Sequence, residues 1–189
     1  MLGSATWRED EVKFRQLILY ISQKCANDPT FGSIKLNKIL FFSDFGYYAC
    51  TGKPITGMEY QKLPNGPAPR KLLPIRDRMI KEGVLGLQTI PLAGGRIQKR
   101  TVNLREPDLT IFSGDEIALV DATIDALCNA NAKMASELSH RMIGWIIAKD
   151  RETIPYSTVF LSNAPLSQAE IQRGRELADP ILQQCGSRN

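Results

Sequence analysis

Across residues 33–50 the chain carries an apolar pattern that an ordinary surface helix does not keep. Leu36, Ile39, Leu40 and Tyr47 fall on one stripe at helical spacing, while Phe41, Phe42 and Phe45 lie off that stripe. A helix apolar over so much of its circumference has to be packed on several sides. The pattern therefore predicts a central helix, stopped by Gly52, whose missing Cβ permits the left-handed backbone that ends helices. The other elements must be arranged around it.

Upstream, Thr6 followed by Glu9 reads as a capping box, and Phe14, Leu17, Ile18, Ile21 and Cys25 then share one helical face until Asn27-Asp28-Pro29 ends the pattern. This N-terminal helix, over 6–26, is expected to belong to the same domain. Downstream, 55–63 reads as a short extended segment. Pro64-Asn65-Gly66-Pro67-Ala68-Pro69 is then a turn in which the prolines fix φ while Asn65-Gly66 permits positive φ. A third helix follows to about Lys81 and stops at Gly83. Pro74 would clash with Arg70 if that helix began at Pro69, so the expectation is a kink or a true start near Leu73.

Leu85, Leu87 and Thr89 alternate, as do Ile97, Lys99 and Thr101, with Gly94-Gly95 between them. A β-hairpin is predicted here, extending the sheet begun near Tyr60. Ser113 with Glu116 opens a helix faced by Ile117, Val120, Ile124, Leu127 and Cys128. Another helix is expected over 132–149, broken around Ser139 or Gly144. A last one starts at Ser167 with Glu170, weakens at Gly174 and Pro180, and leaves a mobile tail over 184–189. The fold class read from this order is α+β: a mainly helical single domain over 1–189 with a small antiparallel sheet or β-hairpin.

Composition narrows the chemistry. With 24 basic and 20 acidic residues, the net charge of +4 is too small and too mixed for a general polyanion binder. The four cysteines, at 25, 50, 128 and 185, show no paired spacing, which argues against a disulfide framework and against a zinc ribbon and points to a cytoplasmic, reduced protein. No apolar run approaches the ~20 residues of a membrane span. His140 is the only histidine and has no nucleophile elbow beside it; a packed role near Trp145 is the simpler reading. Asp44 and Glu59 are better read as structural carboxylates than as an acid-base pair, with Lys35, Lys38 or Arg70 expected as partners for Asp44. No catalytic residue, metal site or cofactor is assigned.

Two further readings concern partners. Three helices followed by a hairpin suggest a winged helix, with Arg70, Lys71, Arg76, Arg78 and Lys81 on the helix and Arg96, Lys99, Arg100 and Arg105 on the wing. The long proline-locked connection and Pro74 count against DNA as a partner. Tyr and Arg near that turn, namely Tyr47, Tyr48, Tyr60 and Arg70, are the candidate contacts for a protein partner, against the simpler reading that Tyr47 and Tyr60 are core.

The run Lys35-Leu36-Asn37-Lys38, Phe41-Phe42-Ser43-Asp44, Thr51-Gly52-Lys53-Pro54-Ile55-Thr56-Gly57 and Glu59 to Pro69 resembles the Panacea domain, the SocA-like antitoxin family. Ser139-His140, Trp145, Glu152 and Ile154-Pro155-Tyr156 sit where a second signature of that family would lie. One departure is that Lys149-Asp150-Arg151-Glu152 replaces the glycine expected before Ile-Pro-Tyr. The resemblance implies an antitoxin without enzymatic activity, which neutralises a cognate protein toxin from an adjacent gene, with a protease as an adaptor-client route. A phage or prophage accessory protein of the same family is the alternative it leaves open.

Overall fold

The apolar helix is the axis around which the rest is built. The computed structural model describes residues 7–162, 164, 167–169, 171–173, 176 and 178. In it this helix, α2, spans Ser33–Thr51 and buries Leu36, Ile39, Leu40, Phe41 and Phe45. Gly52 ends it at φ 74° in the left-handed region, and its N–H closes on the Tyr48 carbonyl at 2.8 Å. Apolar side chains from Phe14 through Ile154 join one contiguous core on its flanks. Each large side chain fully buried there contributes about 1.5–3 kcal/mol.

The first helix, α1, spans Glu11–Lys24 and is capped by Asp10, whose carboxylate accepts from the Lys13 N–H at 2.9 Å. The expected Thr6–Glu9 box is therefore not the start of this helix, and Thr6 lies outside the described residues. The reason is local: the Asp10 N–H is held by the Thr56 carbonyl at 2.8 Å, which keeps the backbone non-helical until the next residue.

Tyr60–Gln61 (β1) pairs antiparallel with Ala68–Pro69 (β2) across the proline turn. Because Pro69 is committed to this strand, α3 begins only at Leu72 and runs to Lys81. Pro74 thus falls in the first turn, where its missing N–H has no intrahelical partner to lose. The late start, rather than a kink, is what the structure adopts.

The hairpin is present, with Leu85–Pro91 (β3) against Ile97–Asn103 (β4), but it does not extend the sheet at Tyr60. The second side of β1 is taken instead by 151–154: the Ile154 N–H donates to the Tyr60 carbonyl at 2.8 Å and the Lys62 N–H to the Glu152 carbonyl at 3.0 Å. Arg151 makes this return possible by adopting φ 59°. It takes the left-handed conformation for which a glycine would be better suited.

Gly114–Leu127 (α4) opens with the expected capping box of Ser113 and Glu116. Glu116 also receives the Lys13 ammonium at 2.6 Å, which ties α4 to α1. The segment expected to be one broken helix is Ala132–His140 (α5) followed by Ile143–Ile147 (α6), so the break falls between the two residues suspected of causing it. A Cβ on Gly144 would run into the Thr158 side chain and come within 2.7 Å of Ile154, so α6 lies flush on the 154–158 segment. Of the expected last helix, Glu170, Gly174, Pro180 and the tail 184–189 lie outside the described residues. The result is a mainly helical α+β fold with two small antiparallel strand pairs among the described residues.

Candidate interaction surface

Asp44, on the inner side of α2, organises one end of the core. It is 1% exposed, and its Oδ1 accepts from the Thr56 N–H at 2.7 Å. Its Oδ2 meets the Thr56 hydroxyl at 2.5 Å and the Tyr60 hydroxyl at 2.7 Å. The lysines and the arginine expected as its partners are engaged elsewhere. Lys35 pairs with Asp28 at 2.5 Å, Lys38 donates to the Pro67 carbonyl at 2.9 Å, and Arg70 lies on the exposed side of the β1–β2 pair. Hydroxyls reach Asp44 because Gly52 and Pro54 turn the chain back so that Thr56 lies against α2. Burial lifts the Asp44 carboxyl to about 6, against the opposing pull of the Thr56 and Tyr60 hydrogen bonds.

From this hub a ladder of rings leads to the surface. Tyr60 packs on Phe41 and Phe45 with centroids 5.6 and 5.4 Å away, and Phe45 on Tyr156 at 4.5 Å. Tyr156 in turn packs against Tyr48 at 5.5 Å with the rings tilted, and Tyr48 meets Phe160 at 5.8 Å and Trp7 at 6.1 Å. The outermost members are bare: Phe160 is 64% exposed and the adjoining Leu161 50%. Tyr156 is fixed by donation to the Met58 carbonyl at 2.7 Å, so the exposed ring stands on a rigid base. The 3-10 turn Tyr156–Phe160 that presents it is held against α6 by the close fit at Gly144.

The four residues singled out as contacts occupy four different environments. Tyr48 belongs to the surface end of the ladder. Tyr47 is half-buried and lines a cleft of about 320 Å³ with Trp7, Lys53 and Glu116. Tyr60 is 1% exposed and donates within the Asp44 hub, so it is a core residue and has no surface with which to hold a partner. Arg70 is exposed and braces the return strand, donating to the Arg151 carbonyl and the Thr153 hydroxyl, both at 3.0 Å. Trp7, Phe160 and Leu161 were missed, because they lie in irregular segments with no period to mark them. Tyr156 was visible only as part of the Ile-Pro-Tyr signature.

His140 stacks on Trp145 with centroids 4.0 Å apart, as its packed reading requires. Burial and the nearby Lys38 charge lower its pKa. Lys38 itself is 1% exposed and is pushed down by burial to about 7. The proline turn is held from several sides: Lys38 binds Pro67, Ser136 donates to the Asn65 carbonyl at 3.0 Å, and the Trp145 indole donates to that of Leu63 at 3.2 Å. Gly66 sits at φ 96°, the positive value its place in the turn predicts. Among the described residues no group of three His, Cys, Asp or Glu side chains converges as metal ligands would, and no helix is long and apolar enough to cross a membrane.

Helices packed around a buried aromatic axis, with an aromatic outlet fixed on a turn, define a helical α+β scaffold with an exposed apolar patch at Phe160 and Leu161. Residues 36–146, more than half of the chain, match the family described as antitoxin SocA-like, Panacea domain, and the chain belongs to that family. No curated protein and no solved structure matches it.

Proposed function

We propose that this chain is the antitoxin of a type II toxin–antitoxin pair, and that in the cytoplasm it neutralises a cognate protein toxin from an adjacent gene by direct contact. The observation that carries the reading is the exposure of Phe160 and Leu161, 64% and 50%, beside the packed rings of Tyr48 and Tyr156. Large apolar side chains held rigidly at a surface are the usual anchors of protein–protein contacts, and ordering them beforehand lowers the entropy lost on binding. Tyr48 is retained as a contact, with Phe160 and Leu161 beside it; Tyr47 and Arg70 border other faces.

A nucleic-acid role is less well supported. On α3 and just before it, Lys71 pairs with Glu9, Arg78 with Glu11 and Arg76 with Asp77, so these cations are internally neutralised. Arg100 is spent on the carbonyls of Cys25, Ala26 and Asp28. The test is co-expression with the neighbouring open reading frame. Growth is expected to be restored by the parent protein and lost with Phe160→Asp and Tyr48→Ala, while their thermal melts stay within a few degrees of the parent. A neighbouring product that remains fully lethal beside well-folded parent protein refutes the antitoxin reading.

A further inference from the structure

The hairpin has two edges, and they are not equivalent. The Leu104 N–H donates to the Val84 carbonyl at 3.0 Å and the Leu92 N–H to that of Arg96 at 2.8 Å. With Gly86 opposite Val102 and Gln88 opposite Arg100, these bonds fix the phase of the ladder. Even-numbered residues of β3 bond inward to β4, and by the alternation of antiparallel pairing Leu87 and Thr89 turn their N–H and C=O groups outward. The corresponding outward groups of β4 are partly covered, since Ser33 donates to the Lys99 carbonyl at 3.0 Å. Among the described residues, no strand other than β4 pairs with β3 and no backbone group takes up the outward groups of Leu87 or Thr89.

Exposed edges of this kind are normally protected by charge, proline or a bulge. Leu85-Gly86-Leu87-Gln88-Thr89-Ile90 contains no charged residue, and its Pro91 comes only at the end. The surroundings carry one sign. From 85 to 105 there is no acidic residue, while Arg96, Lys99, Arg100 and Arg105 are basic, and Lys99 lies directly across from Thr89. A second copy of this edge would bring two basic hairpins together, which disfavours pairing between copies.

We propose that the outer edge of β3 is a strand-addition site for an extended, acidic segment of a protein partner. Backbone bonds at Leu87 and Thr89 supply the pairing, and Lys99 with Arg96 select the charge. This surface is separate from the aromatic one and does not depend on the antitoxin reading.

The probe is a blocked nonapeptide of alternating valine and glutamate, added to the ¹⁵N-labelled full chain, with a valine–lysine peptide as control. The glutamate peptide is expected to slow amide exchange at Leu87 and Thr89 by about tenfold or more, less so as salt is raised. Thr89→Pro removes an outward N–H without touching the inward ladder, and is expected to weaken binding about tenfold. Continued protection of the Gly86 and Gln88 amides shows that the hairpin of that variant is intact; should it be lost, the exchange pattern of the parent protein decides alone. The proposal is overturned by no binding at millimolar peptide, by protection at residues other than this edge, or by equal binding of the lysine peptide. It is equally overturned if duplex DNA protects the same amides in place of the peptide, or if their protection grows with protein concentration alone.

Discussion

Asp44→Asn separates a neutral buried carboxyl from an ionised one. The Tyr60 hydroxyl lies 2.7 Å from Asp44 Oδ2 and 2.9 Å from the Leu40 carbonyl, yet it owns a single proton. A protonated Asp44 resolves this by donating to the phenol oxygen and leaving the phenol proton for Leu40. The unfolded carboxyl titrates at 3.8 and the folded one at about 6, a gap equivalent to about 3 kcal/mol. Below pH 3.8 both states hold the proton; between 3.8 and 6 only the folded state does; above 6 the folded state carries a buried charge. The stability contributed by Asp44 is therefore complete at the acid end and lost as pH rises through 6. An asparagine does not titrate, so the difference between the two proteins isolates this group from every other. Urea unfolding of both at about pH 4 and about pH 7.5 should show the parent losing about 2.5 kcal/mol relative to Asp44→Asn across that interval, the remainder being lost already below pH 4. A difference that is constant with pH means that Asp44 is ionised throughout, and refutes the reasoning.

Two further perturbations test the turns. A Cβ on Gly66 would fall against the Ser139 hydroxyl and within 2.5 Å of the Lys38 ammonium, at a φ of 96°. Gly66→Ala is therefore expected to lower stability by about 3 kcal/mol, with part of the loss recovered by adding Ser139→Ala; a melt unchanged from the parent shows that the turn has slack. Arg151 holds φ 59° with no glycine to ease it, so Arg151→Gly should stabilise by up to about 1 kcal/mol in urea unfolding. A loss of stability there shows that the arginine side chain contributes more than its backbone strain costs.

Periodic features were the ones legible in the sequence. The even spread of apolar residues over α2 marked it as the buried axis, and alternation marked the hairpin. What sequence could not supply were pairings between distant segments. Nothing local to Asp44 indicates that its partners are hydroxyls brought back by the chain after Gly52, so charge complementarity suggested lysines that burial had already committed elsewhere. The same gap leaves Tyr60 open between candidate contact and core residue: its ring is amphipathic, and only the packing of Phe41 and Phe45 and the Asp44 hydrogen bond place it inside. The sheet at Tyr60 was assigned to the nearer hairpin, whereas its true third partner comes from 151–154. Phe160 was invisible because its exposure arises from a single turn resting on Gly144.

The grip on the proline turn has a consequence for how the protein is made. Lys35 donates to the Cys128 carbonyl, Ser136 to that of Asn65, and Tyr156 to that of Met58, so groups between 35 and 65 complete their hydrogen bonds only with residues synthesised much later. A ribosome that has released only α1, α2 and the turn has produced an apolar helix with a bare flank. Folding of this segment must therefore be completed late in translation, when the 132–160 region emerges. Until then the nascent chain presents to the cell the hydrophobic surface that the finished protein conceals.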